Sequence, residues 1–245
     1  MRDDNQIEFS VIIPAYNEEK LLPRTLSHLH KAMQSLKYTG EVIVVDNNST
    51  DGTAEIARQH DATVVFEPFR QISRSRNTGG RTATGKFLIF LDADTMVSAN
   101  LLTTALNSLH NGTHCGGGTL IHFDTPLPFL ASRLVRMWNW LSKVKNLAAG
   151  SFVYCLSDGF QEIGGFSEKI YAGEEIFFSR QLTAWGKKKG LRFQVISAHP
   201  VITSGRKFHW FSSLQIALLL VFLTFFPWAL RNRNLCGFWY NRPDN

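Results

Sequence analysis

Two carboxylates one residue apart, Asp92 and Asp94, follow directly on the apolar run KFLIFL at residues 86–91. On the end of an extended strand, side chains at i and i+2 point to the same side. The pair can therefore share a divalent cation. Hard oxygen donors suit Mg2+ or Mn2+, which keep part of their water and take up substrate phosphates. A bare Asp-x-Asp triplet is common by chance; one placed directly after a buried strand carries more information. Asp46 opens the loop DNNSTDGT after a second apolar run, EVIVV at residues 41–45. There it can accept a hydrogen bond from the imide N–H of a nucleobase. Ser49 and Thr50 read as turn and cap residues of the helix that follows.

Those groups need a frame that brings them to one place. FSVIIP at residues 9–14, EVIVV, ATVVF at residues 62–66 and KFLIFL read as buried strands. Between them, residues 18–36, 53–60 and 73–84 carry helical spacing, the last with a Gly-Gly interruption. Residues 101–109 are again helical. Strand and helix in alternation predict parallel βαβ units. In such sheets ligands bind beyond the carboxyl ends of the strands. Asn17, Asp46, Asp92 and Asp94 all stand just past such ends. Taken singly, each also suits an ordinary turn or N-cap. The second half is less regular. It predicts a strand at residues 115–123, a helix at 129–147 and a turn-rich loop at 158–166. A helix at 174–185 closed by Gly186 and an edge strand at 193–196 follow.

Composition narrows the classes. With 44% hydrophobic and 19% charged residues, the 245-residue chain is neither disordered nor fibrous. Its length suits one α/β domain with a tail. Cys115, Cys155 and Cys236 form no CxxC pair, which disfavours a zinc ribbon or a disulfide scaffold and fits a reducing compartment. The net charge of +6 favours anionic partners, but no nucleic-acid-binding motif accompanies it, so no nucleic acid is expected. PAYNEE stands after the first strand where a dinucleotide-binding protein has GxGxxG.

The segments VIIPAYNEE, EVIVVDNNSTDGT, RNTGGRTATGKFLIFLDADT and IGGFSEKIYAGEEIFFSRQL occur in that order between residues 11 and 182. In them the chain resembles the family 2 glycosyltransferases of GT-A fold. The resemblance implies an α/β architecture: a Rossmann-like, mostly parallel central sheet flanked by helices. Here a C-terminal hydrophobic helix would be added to it. It also implies inverting transfer from a nucleotide-sugar donor, most often a UDP-sugar, with Mn2+ or Mg2+ on the diphosphate. Pro14, Ala15, Tyr16 and Glu18 would line the nucleoside pocket. Asp46 would hold the base, beside Asn47 where many relatives have a second Asp. Arg76 would sit near the nucleotide. Asp92, with Ala93 beside it, would contact ribose or metal-bound water, and Asp94 would ligate the metal. Glu174 and Glu175 match a Glu-Asp pair, with Glu175 as the expected base for the acceptor. After the last strand the family often carries a His near the diphosphate. Here His199 comes early, and Arg206 and Lys207 are the other candidates for that charge.

These expectations divide the chain into a GT-A domain over residues 1–206 and a hydrophobic, membrane-associating tail over residues 207–245. LQIALLLVFLTFFPWAL at residues 214–230 approaches the length of a membrane span and is apolar on all sides. Basic residues on both flanks leave its orientation open. A span, a re-entrant or interfacial segment at residues 210–230, and a helix packed on the domain or on a second copy all fit. Membrane association would place the protein at the cytoplasmic face and suit a sugar or lipid-linked acceptor. Two other classes stay in view. A sugar-phosphate nucleotidyltransferase would want a glycine-rich basic loop after the first strand, where this chain is acidic. A non-catalytic nucleotide- or lipid-binding module would have no need of the intact DAD and GEE segments.

Overall fold

The computed structural model describes residues 6–241, except for the side chains of His209 and Leu220. The first half winds as β1 (Phe9–Ala15), α1 (Leu22–Met33), β2 (Gly40–Asp46), α2 (Thr53–Gln59), β3 (Thr63–Phe66), α3 (Ile72–Thr82) and β4 (Phe87–Leu91). There follow β5 (Thr95–Met96), α4 (Ala99–His110), β6 (His114–Phe123), α5 (Phe129–Lys145), β7 (Phe152–Leu156) and α6 (Ser157–Glu162). The chain ends with α7 (Glu174–Lys188), β8 (Arg192–Thr203), α8 (Lys207–Trp210), α9 (Ser213–Phe225), two 3-10 turns over Pro227–Arg231 and Arg233–Cys236, and α10 (Gly237–Tyr240).

The strands form one eight-stranded sheet in the order β3-β2-β1-β4-β7-β6-β8-β5. The pairs β3-β2, β2-β1, β1-β4 and β6-β8 are parallel; β4-β7, β7-β6 and β8-β5 are antiparallel. The expected α/β architecture with a mostly parallel sheet is present. The central strands are continuous apolar runs because both of their faces are covered. Val11 and Ile13 of β1 face a core shared with Leu22, Leu26 and Leu29 of α1 and Leu102 and Leu106 of α4. Ile12 faces the other core, with Phe160 of α6 and Phe178 and Leu182 of α7. The Gly-Gly interruption in α3 has a packing cause. A Cβ on Gly79 would lie 2.3 Å from Ile12 Cγ2, and one on Gly80 would lie 2.5 Å from Phe160 Cζ. Glycine lets α3 sit close on the sheet.

After β3 the chain crosses back over β1 to lay down β4 on its far side. The winding direction reverses there, and the loops after β1 and β4 open a crevice between them.

Several local expectations are corrected. Residues 18–21 form a turn, and α1 starts at Leu22, with Glu18 O accepting from the N–H groups of both Leu21 and Leu22. The loop expected at 158–166 begins as α6, and the turn follows over residues 163–166, with Gly164 and Gly165 at φ +80° and +75°. Gly186 lies inside α7, where a Cβ would meet Cys115 Sγ at 2.5 Å; the left-handed turn comes at Gly190. The strand expected at 193–196 is the start of β8, which lies inside the sheet while β5 forms the edge.

In the tail, α9 starts with a capping box between Ser212 and Gln215 and runs 13 residues, about 20 Å at 1.5 Å per residue. Pro227 opens a 3-10 turn just past its end rather than kinking a longer helix. Among the described residues no helix is long and apolar enough to cross a membrane. The chain then returns to the α/β body. Tyr171 N–H donates to Leu230 O at 2.7 Å, and Cys236 and Tyr240 are buried beside Ala172.

Candidate functional site

The crevice is built from two interlocked loops. Asn17, at φ +50°, turns the chain after β1. Its N–H donates to Ser49 Oγ at 3.0 Å, and its Oδ1 accepts from Thr50 N–H at 2.8 Å. Glu18 N–H donates to Thr53 Oγ1 at 2.7 Å. Ser49 and Thr50 therefore brace the first loop rather than cap α2, whose N-cap is Gly52. Asp46 closes its own turn by accepting from Ser49 N–H at 3.0 Å. Asn47 reaches the loop after β3 through Glu67 O and Phe69 O, at 3.0 and 2.6 Å.

A cleft lies over these loops, between the ends of β1 and β4. Of the residues expected at a donor site, Pro14, Ala15, Tyr16, Glu18, Asn47, Asp92, Ala93, Asp94 and Arg206 line it. Asp46 is buried and is not among the lining residues, and His199 lies within β8 outside them, its carbonyl accepting from Thr119 Oγ1 at 2.8 Å.

A line of carboxylates and guanidinium groups runs under and along the cleft, with Asp92 and Asp94 adjacent at its middle; Arg76, Glu174 and Glu175 are not among the cleft's lining residues. Arg76, one turn before Gly79-Gly80 in α3, is buried and has three acceptors: Glu174 Oε1 at 2.6 Å, Gly150 O at 2.8 Å and Asp92 Oδ1 at 3.0 Å. Arg206 grips Glu18 with two bonds of 2.8 and 2.5 Å and reaches Asp94 Oδ2 at 3.1 Å. Asp94 Oδ1 accepts from Thr203 Oγ1 at 3.3 Å. The order is thus Glu174, Arg76, Asp92, Asp94, Arg206, Glu18. Burial pushes the Asp92 carboxyl up to about 6, with Arg76 pulling it down and Asp94 pushing it up. Burial also raises Glu175 to about 8, reinforced by Glu174 and opposed by Arg76. The two neighbouring glutamates are in this way separated: Glu174 is tied to a buried guanidinium, and Glu175 is the carboxyl whose proton is held near neutral pH.

The donor set suits a divalent cation. No group of three or more His, Cys, Asp or Glu side chains converges among the described residues. Two hard carboxylates, Asp92 and Asp94, face the cleft, a pattern in which substrate phosphate and water complete the shell. Arg206 Nε is buried and has no hydrogen-bond partner among the described residues, which leaves a donor beside Asp94 for a phosphate oxygen.

Sequence reasoning missed Arg70, Ile72, Ser75, Trp239 and Tyr240, which also line the cleft. Arg70 stacks over the Tyr16 ring at 3.6 Å. A basic residue just past the third strand was a readable signal. Trp239 and Tyr240 gave none, lying over 220 residues from the first strand.

The model of glycosyl transferase family 2 matches residues 10–160. The chain belongs to that family. It is similar to the glycosyltransferase AglE of Haloferax volcanii, 30% identical over 205 residues, which are 78% of this chain and 66% of AglE. It is also 35% identical over 107 residues to the dolichyl-phosphate beta-glucosyltransferase of Drosophila melanogaster, covering 38% of this chain and 33% of that protein. The chain thus spans less than two thirds of either relative. The fold matches the mannosyltransferase PcManGT from Pyrobaculum calidifontis, solved with GDP-Man and Mn2+, at a TM-score of 0.65 and 21% identity, over 87% of this chain and 64% of that one. It likewise matches S. aureus TarS, solved with UDP-GlcNAc, at 0.64 and 20%, over 81% and 59%.

Proposed function

We propose that this protein transfers a glycosyl group, with inversion, from a UDP-sugar to a hydroxyl or phosphate oxygen of an acceptor. The observation that carries the reading is a cleft at the winding reversal lined by Asp92, Asp94 and Arg206, with Arg76 bridging Asp92 to Glu174, next to Glu175. Asp92 and Asp94 would hold Mn2+ or Mg2+, which when bound takes up charge developing on the diphosphate. Arg206 lends its guanidinium to the same oxygens. Pro14, Ala15 and Tyr16 wall the nucleoside, with Asn47 toward the base. Glu175 takes the acceptor's proton as the acceptor oxygen bonds to the anomeric carbon, and the carbon–oxygen bond to the diphosphate breaks with its electron pair leaving on UDP. Arg76 holds Glu174 and Asp92 in register so that base and metal ligands stay on their own sides.

The acceptor is read as lipid-linked, at the cytoplasmic face of a membrane. Two supports are the names of relatives, a dolichyl-phosphate glucosyltransferase and an undecaprenyl-phosphate 4-deoxy-4-formamido-L-arabinose transferase. A third is the exposed apolar surface of Met137, Trp140, Leu214, Leu218 and Val221 on α5 and α9.

Ligand-dependent melting tests the donor. UDP with Mn2+, at about 100 times its dissociation constant, adds about 2.7 kcal/mol of stability and raises the melting temperature. A rise with GDP alone transfers the reading to a guanine donor. No rise with either, in detergent or lipid, overturns it.

The base predicts a pH profile. Glu175 must be ionised to act, so kcat rises with pH to a limb near 8, and Glu175→Gln removes both the activity and the limb. Stability moves the opposite way. The folded state holds the Glu175 proton at pH values where the unfolded chain has released it. The contribution is therefore complete below the ordinary glutamate value of 4.5 and lost as pH rises through about 8. Melting temperatures from pH 5 to 9 check the sign.

A further inference from the structure

The segment over residues 227–240, outside the family-matched region, folds back onto the rim of the cleft. Several of its attachments fall on residues next to the site. Tyr240 Oη accepts from Ile72 N–H at 3.3 Å, and Arg70 Nη2 donates to Tyr240 O at 3.4 Å. Arg70 and Ile72 both line the cleft, as do Trp239 and Tyr240. Leu230 O accepts from Tyr171 N–H at 2.7 Å, three residues before Glu174. Tyr171 meets the Tyr240 ring edge-on at 5.7 Å. On the opposite flank, the Lys207 ammonium lies 5.4 Å over the Phe238 ring, and Lys207 also lines the cleft.

We propose that this strap is a donor-binding element: Trp239 and Tyr240 form a wall against which the bound nucleotide sugar packs. The inference rests on the nucleotide-sugar reading above and adds a subsite to it. Three observations carry it. Both aromatic residues present surface to the cleft rather than to bulk solvent alone. Tyr240 is 9% exposed and fixed by its hydroxyl and its carbonyl, so the wall is placed before a ligand arrives. The strap also holds Arg70, whose guanidinium covers Tyr16 on the nucleoside side. Aromatic faces bury much apolar area at little entropic cost and suit a sugar ring or a nucleoside.

The test uses the full chain in detergent and calorimetric titration with UDP and with GDP, each with Mn2+. Trp239→Ala weakens whichever nucleotide the wild type binds by about tenfold, and Trp239→Phe recovers most of the loss. Tyr240→Phe removes only the hydroxyl that accepts from Ile72 and weakens binding severalfold; it decides the matter if Trp239→Ala fails to fold, as judged by its melting curve. In addition, the tryptophan emission of the wild type changes on nucleotide binding, and that change is lost in Trp239→Phe. Unaltered affinity in the folded variants overturns the strap while leaving the donor site standing. A wild type that binds neither nucleotide overturns both.

Discussion

Asp94→Ala is expected to slow glycosyl transfer about a thousandfold while the fold survives. Asp94 stands at the centre of the charge sequence, with one oxygen toward Thr203 and the other 3.1 Å from Arg206. On the proposed reading, removing it would delete a hard-oxygen ligand where the leaving diphosphate gathers charge, and such stabilisation is worth several kcal/mol. A loss of about 4 kcal/mol is about three decades of rate. Folding should be little affected. Arg206 keeps its two bonds to Glu18, and the Asp94 side chain retains contact with solvent, at 13% exposure, so no buried charge is left without a partner. A coupled assay for nucleoside diphosphate release, run beside a thermal melt, reads both quantities. A rate near that of the wild type would remove Asp94 from the mechanism.

Arg76→Leu is expected to be the most destabilising single change at the site. The guanidinium is buried, and its Glu174 partner is 5% exposed. Its loss leaves Glu174 without its ion pair and Asp92 without its nearest cation. Breaking a buried pair from one side costs about 3–5 kcal/mol. For a domain of this size each kcal/mol shifts the melting temperature by about 2–4 °C, so a fall on the order of 10 °C follows. The double variant Arg76→Leu with Glu174→Gln recovers part of it, because the stranded charge is gone. If the single variant melts with the wild type, the Glu174–Arg76 pair is not what holds α3 to α7.

How far the sequence foretold these residues depends on how local the physics is. β1, β2 and β4 were legible because strands covered on both faces are unbroken apolar runs, and Asp92 and Asp94 were legible because they follow one of them directly. β7 was missed because FVYCL follows a run of small residues and pairs antiparallel into a sheet whose first half is parallel. β8 was cut short because Ala198, His199 and Pro200 interrupt its apolar pattern; the ladder passes them with a register shift against β6. The match to a Glu-Asp pair put the expected base at Glu175, but what sets Glu174 apart from it was not visible in neighbouring sequence. That difference depends on Arg76, 98 positions away. Trp239 and Tyr240 reach the cleft only through the return of the chain after α9, which no periodicity records.

That return gives α9 an unusual mechanical position. Just before it stands Arg206, which holds Glu18 and Asp94; just after it come Leu230 and Tyr240, which hold Tyr171 and Ile72. The helix is a handle riveted at two points to opposite rims of one basin. Were a lipid leaflet to take up its apolar surface, it would do so from one side, and the tug would arrive at the Arg206 end and the aromatic end together.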